Sequence, residues 1–193
     1  KKAYVGMTTS QYAQYIRGVL DINRYSSLIT SLGNSLNSRK NRFDKSDIIE
    51  QAFSVYTGGL FEWIDHVGRD HLDTVNGHSV EFKYANNGLY TPKGNPKLSI
   101  TVKIMNSQGN NVNNSLPHPA DYYIISQADA MAVISYTELQ PYLRVLSDGI
   151  EAKIPTTALS FVFLPTNVVI NVNNNIDYLA EKRTAQRQLI ENF

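Results

Sequence analysis

The dipeptide Asn76-Gly77 constrains this chain more than any other feature, because it stands between two segments that alternate apolar and polar residues. Asn-Gly tolerates the positive φ values of a two-residue type I′ turn, so residues 68–75 and 78–83 are expected to fold back on each other as a β-hairpin. A two-residue loop pairs Val75 with His78, sets Leu72 opposite Glu81 and sets Asp70 opposite Lys83. Opposed residues share a face of a hairpin, as do alternate residues along a strand. Asp70, Glu81 and Lys83 therefore converge on one face, while Val80 and Phe82 turn to the other. A three-residue loop with a bulge at Gly77 would slip the register and put Asp73, not Asp70, on the face of Glu81. The hairpin signal alone leaves both registers open.

Two carboxylates and an ammonium group side by side do little to stabilise a sheet, but they suit a divalent cation held next to a phosphate. A phosphodiester resists hydrolysis because the nucleophile must approach an anion, and a hard cation answers this by neutralising charge and acidifying water. Magnesium takes oxygen ligands, commonly one or two carboxylates with water and substrate phosphate. On this reading Asp70 and Glu81 are carboxylate ligands, and the backbone carbonyl of Phe82, between Glu81 and Lys83, is a further metal ligand. Lys83 orients the attacking water and stabilises developing negative charge. The bland alternative is an exposed ion-pair cluster on a solvated sheet face. A Glu-x-Lys string is common and gains weight only from an upstream Asp on the matching face.

The chain has 193 residues, 42% hydrophobic and 18% charged, values that suit one folded domain with a substantial core. No linker or internal repeat divides it. Residues 1–193 are read as a single domain with N-terminal helices, a sheet region over 66–172 and a C-terminal helix. The net charge of +1 says little about partners, since a nucleic-acid enzyme needs a basic cleft rather than a basic whole. The absence of cysteine excludes disulfides, thiolate zinc sites and cysteine nucleophiles. No apolar run approaches the roughly 18 residues of a membrane span. The opening Lys1-Lys2-Ala3-Tyr4-Val5-Gly6 lacks the apolar core of a signal peptide. A soluble, cytoplasmic protein with no membrane partner is expected.

Helical spacing marks a first helix capped by Thr8 or Thr9 and carrying Tyr12, Tyr15, Ile16, Val19 and Leu20. A second holds Leu28, Ile29 and Leu32 before a polar break at 37–41. A third is capped by Ser46 or Asp47, carries Ile48, Ile49, Ala52, Phe53 and Tyr56, and ends at Gly58-Gly59. Residues 97–104 alternate as a strand, and 121–126 with 130–136 read as a second, apolar hairpin. Residues 137–146 are expected to be helical, 159–164 and 168–172 to be strands, and Asn175 to cap a charged last helix. Helices first, a mostly antiparallel or mixed sheet in the middle and a helix at the end give an α+β (mixed α/β) fold.

Asp70, ten intervening residues, then Glu81-Phe82-Lys83 resembles the core of the PD-(D/E)xK nuclease superfamily. The wider string Gly68-x-Asp70-x-x-Asp73 before a glycine turn is similar to its PvuII-like restriction endonucleases. Residues 122–136 followed by Glu138-Leu139, and Lys153-Ile154-Pro155 after Ser147-Asp148-Gly149, extend the likeness over about half the chain. The resemblance implies a restriction-endonuclease-like sheet flanked by helices and a Mg2+-dependent, sequence-specific type II endonuclease of bacterial origin. It implies cleavage of double-stranded DNA to 5′-phosphate ends. It also makes Asp70 and Glu81 metal ligands, Lys83 the catalytic lysine, and the protein a homodimer joined through its N-terminal helices. Symmetric sites are read by symmetric proteins. The sequence departs from the pattern in having Arg69 where the superfamily name has Pro, and two asparagine-bearing loops at 86–95 and 106–119. It also has Gly149-Ile150-Glu151-Ala152 where adjacent asparagines would contact bases, so no target sequence carries over.

Asparagine and glutamine can pair bidentately with adenine in the major groove. Asn86, Asn87, Asn106, Gln108 and Asn110 are candidate base readers, although loop asparagines are ordinarily turn formers. Lys93, Lys97 and Lys103, and Lys182, Arg183 and Arg187 on the last helix, are candidate phosphate contacts or simply solvated charges. Glu50 is a possible extra metal ligand, with an exposed helical glutamate as the plainer reading. His66, His71, His78 and His118 lack metal-ligand spacing, and Tyr56, Phe61 and Trp63 read as core. Two rivals stand beside the restriction reading. One is a repair or junction-resolving nuclease with the same core; the other is a non-catalytic DNA-binding module in which the hairpin cluster is structural.

Overall fold

The computed structural model describes residues 6–32, 39–85, 88–91, 93, 95–105, 116–165 and 190–193, with 39–44 as helical backbone only. Three helices come first. α1 (Thr9–Val19) starts from a capping box in which Thr8 and Gln11 satisfy each other's backbone amides, and it buries Tyr12, Ala13 and Ile16. α2 (Ile22–Leu32) buries Tyr25, Leu28, Ile29 and Leu32, the i, i+3, i+4, i+7 stripe of an amphipathic helix. α3 (Arg39–Tyr56) begins seven residues before Ser46, so part of the expected polar break at 37–41 is helix. Its last turns bury Ile48, Ile49, Ala52, Phe53 and Tyr56 as the spacing requires.

Six strands form a mixed sheet in the order β1-β2-β3-β5-β6-β9: β1 (Phe61–His66), β2 (Arg69–Asp73), β3 (His78–Tyr84), β5 (Tyr122–Ser126), β6 (Met131–Ser135) and β9 (Ser160–Phe163). Among the described strands only β3 and β5 run parallel, with Glu81 level with Tyr123 and Lys83 with Ile125. The chain crosses from β3 to β5 through β4 (Ser99–Met105), which joins β8 (Gly149–Pro155) and β7 (Leu143–Leu146) in a separate three-stranded antiparallel sheet. The α+β expectation therefore holds. The sheet region starts at Phe61 rather than at 66, because residues 60–66 are mostly strand. The helix expected over 137–146 is α4 (Tyr136–Leu139) and a 3₁₀ turn; Pro141 cannot prolong it, and the chain becomes β7 from Leu143. The expected strand at 168–172 and most of the last helix lie outside the described residues.

Two cores sandwich the main sheet. Val80, Phe82, Tyr122, Ile124, Met131 and Val133 pack with the helices. Tyr123, Ile125, Ala132 and Ile134 pack with Ile100, Val102, Ile104, Ile150, Ala152 and Ile154 of the small sheet. Covered on both faces, β5 is buried along its whole length, which accounts for its unbroken apolar run. The pairing with β5 places Glu81 and Lys83 on the small-sheet face of β3, while Phe82 points to the helices.

Candidate metal centre

The hairpin forms, but with a four-residue loop. His71 pairs with Val80, Leu72 with Ser79 and Asp73 with His78, so neither the Val75–His78 nor the Leu72–Glu81 pairing exists. Asp73 is the cause. Its Oδ1 accepts the amides of Val75 and Asn76, both 3.0 Å, and Oδ2 accepts the Asn76 side chain at 2.9 Å. Its backbone carbonyl takes the Gly77 amide at 2.8 Å, and Gly77 alone in the loop has a positive φ, 74°. This side-chain cap wraps the chain around Asp73 and replaces the two-residue turn. Relative to a two-residue loop the register moves by two, an even number, so every side chain keeps its face. Continued outward, the register sets Asp70 level with Glu81 instead of Lys83. Asp73 itself is fully buried on the helix face, where it also accepts the Tyr12 hydroxyl at 2.7 Å. It is a structural residue, and the register that would have put it beside Glu81 is excluded.

Beyond His71 the ladder opens, and Asp70 Oδ2 takes the Phe82 amide at 2.7 Å. Glu81 is 8% exposed and its Oε2 lies 2.8 Å from Lys83 Nζ. Its Oε1 is buried and has no hydrogen-bond partner among the described residues. Burial first, then the charges of Glu81 and Glu50, hold the Asp70 carboxyl well above the ordinary carboxylate range, against the opposing Phe82 amide. Neighbouring carboxylates that raise one another in this way suit a shared proton or a cation. The orphaned oxygen, the all-oxygen donor set and the partial burial fit a hard divalent ion.

The sequence offered Glu50 both as an extra metal ligand and, more plainly, as an exposed helical glutamate, and the structure places its carboxylate beside those of Asp65 and Asp70. Its Oε1 accepts the indole N–H of Trp63 at 3.1 Å, and its backbone carbonyl accepts His71 Nε2–H at 2.7 Å, tying α3 to β2. Asp65 was missed altogether. β1 is bulged between Trp63 and His66, and Asp65 takes a left-handed backbone with φ 51°, which breaks strand parity and turns the residue to the cluster. Oxygens of Glu50, Asp65 and Asp70 all lie within 4.8 Å of one another. No Gly or Asn announced the bulge; the only trace in the sequence is an acidic residue close ahead of the Gly68 turn. Trp63, read as core, is half-buried and orients Glu50.

The turn between β1 and β2 is pinned. Gly68 has φ 77°, and a Cβ there would come within 2.4 Å of the His118 carbonyl oxygen. Gly68→Ala combines left-handed strain of about 1–2 kcal/mol with that clash. A fall in melting temperature of several degrees, with weakened cation binding, is the expected result in a thermal scan with and without magnesium.

Two buried groups make opposite contributions to acid stability. Burial lowers His71 to about 4 from 6.5, so its folded state binds fewer protons and stability is lost as pH falls from 6.5 to 4. Burial first, then nearby carboxylates, raise Glu50 to about 7 from 4.5 against the Trp63 hydrogen bond, so its contribution grows over nearly the same window as pH falls. The two oppose each other in the native protein. Glu50→Gln removes one, and the variant is expected to lose about 3 kcal/mol more than the native protein between pH 7 and pH 4. Urea denaturation at both pH values measures it.

Of the candidate DNA contacts, Asn86, Asn87, Asn106, Gln108 and Asn110, with Lys182, Arg183 and Arg187, lie outside the described residues. Lys93 is exposed in its loop, Lys97 is half-buried, and Lys103 pairs with Asp148 at 3.1 Å. His78 lies 3.4 Å from Asp121, and His71 serves α3, so neither is a ligand of the cluster. No helix among the described residues is long and apolar enough to cross a membrane. No protein-family model matches the chain, and no curated protein or solved structure is significantly similar to it.

Proposed function

We propose that the protein is a Mg2+-dependent endonuclease of duplex DNA, of the type II restriction class that the Asp70…Glu81-Phe82-Lys83 string resembles. The observation that carries this reading is the buried Glu81 carboxylate on the same hairpin face as Asp70, with one oxygen that lacks a donor among the described residues and Lys83 at 2.8 Å from the other. Asp70, Glu81 and the Phe82 carbonyl would hold the ion, which when bound supplies charge neutralisation at the phosphate and more acidic water. Lys83, fixed by Glu81, orients the attacking water and stabilises the charge that develops on the phosphate oxygens. Water attacks phosphorus, the bond to the 3′ oxygen breaks, and that oxygen leaves as a hydroxyl after taking a proton. A 5′-phosphate remains. A homodimer follows if the target is palindromic.

Substrate choice tests the class. With magnesium, an intact unmethylated plasmid should yield discrete linear products that religate without added phosphate. Selective cutting of branched or mismatched duplexes, with the plasmid untouched, would move the reading to a repair or junction nuclease.

A further inference from the structure

We propose that His118, held out by a short strap of chain over residues 116–120, hydrogen-bonds a backbone phosphate of the cleaved strand next to the scissile one. The inference rests on the proposed function and deepens it, adding a residue that positions the DNA.

The strap reads Leu116-Pro117-His118-Pro119-Ala120. Its two ends are anchored on the face of the main sheet that carries Glu81 and Lys83: Leu116 and Ala120 are buried in the core between that face and the small sheet. The Leu116 amide donates to the Tyr136 hydroxyl at 2.9 Å, and the Ala120 amide to the Tyr123 hydroxyl at 3.0 Å. Tyr123 stands level with Glu81 on the neighbouring strand. Just past the strap, the Asp121 amide donates to the Ser79 carbonyl at 3.0 Å and the Ser79 amide to Asp121 Oδ2 at 2.9 Å, which ties it to β3. Between these anchors Pro117 and His118 are exposed. Each proline fixes its own φ and disfavours helical backbone in the residue before it. His118 is therefore displayed with little backbone freedom left to lose on binding.

The tip of the strap meets the cation centre from the side. The His118 backbone packs on the β1–β2 turn so closely that a Cβ on Gly68 would lie 2.4 Å from the His118 carbonyl oxygen and 3.3 Å from the His118 Cβ. Gly68 is two residues ahead of Asp70, at most about 7 Å along the chain, which is the scale of the step between successive phosphates of one strand. The surroundings identify the ligand. The carboxylates of Glu50, Asp65 and Asp70, with that of Glu81, repel every phosphate except one bound to their cation. A flanking phosphate needs a donor from elsewhere. His118 is the one side chain of the strap that can donate, and an imidazole N–H suits an acceptor-only phosphate oxygen.

Binding of a duplex that the native protein cuts, followed by fluorescence anisotropy in magnesium with Lys83→Ala to prevent cleavage, tests this. Adding His118→Ala should weaken binding about 10-fold without lowering the melting temperature, and His118→Gln, which keeps an N–H donor, should recover most of the loss. With Lys83 in place, His118→Ala should raise KM about 10-fold and leave kcat nearly unchanged. A neutral methylphosphonate at one of the two phosphates flanking the scissile one should weaken Lys83→Ala about 10-fold more than it weakens Lys83→Ala/His118→Ala. Equal losses in the two proteins at both flanking positions, or an unchanged KM in His118→Ala, with native cleavage intact, overturn the contact and spare the nuclease reading. A folded native protein that leaves duplex DNA uncut and unbound overturns both.

Discussion

Asp70→Asn should abolish DNA cleavage and at the same time raise the melting temperature of the metal-free protein. The two effects have one cause. Without a cation, Asp70 sits among the charges of Glu81 and Glu50, and burial with that repulsion holds the Asp70 and Glu50 carboxyls above their ordinary range. The folded state therefore binds protons that the unfolded chain has released, and stability falls as pH rises above the unfolded carboxylate range. An amide at position 70 removes one of these charges and can donate to Glu81. A gain of more than about 3 °C at pH 8 is expected, the shift that roughly 1 kcal/mol makes in a chain of this length. Cleavage should fall by at least about 10³-fold, the size of effect seen when a charge-stabilising group is removed from a preorganised site. Magnesium should stabilise the native protein more at pH 8 than at pH 6, and stabilise the variant little at either. A variant that is both inactive and less stable would place Asp70 in the structural framework instead.

Asp73→Ala is the counterpart, with its main effect on folding. The carboxylate is fully buried and holds the Tyr12 hydroxyl, two loop amides and the Asn76 side chain. Tyr12 in turn stacks on Tyr122, with ring centroids 3.8 Å apart, and joins α1 to the centre of the sheet. Removing the acceptor leaves several donors to find water or go unpaired, a loss of about 3 kcal/mol or more. In a domain of this size that lowers the melting temperature by about 10 °C. Asp73→Asn keeps an acceptor oxygen and should lose less. The fraction that stays folded should bind magnesium as the native protein does, because Asp73 is on the opposite face from Glu81.

These two aspartates also show how far the sequence could be read. The face of Asp70, Glu81 and Lys83 was legible because strand parity survives an even register change. The register itself was not, because it depends on which groups the Asp73 side chain caps, a competition that Asn76-Gly77 does not decide. α1 and α2 were readable from their apolar stripes. The strand at Leu143–Leu146 was not, since its residues suit a helix as well until Pro141 and the pairing with β8 settle the matter. Glu50 and Asp65 became part of the site through tertiary contacts: a tryptophan donor from a neighbouring strand and a bulge with no turn residue to mark it. Local pattern carries periodicity; it does not carry which distant acids meet.

The most direct measurement is a gel of long unmethylated duplex DNA incubated with the folded native protein, in magnesium and in chelator, beside Lys83→Ala. Discrete fragments in magnesium alone, with the variant slowed at least about 10²-fold, are the expected result. Intact DNA in every lane, across Mg2+ and Mn2+ and at low salt, would contradict a nuclease and leave the hairpin cluster as a structural or purely binding feature.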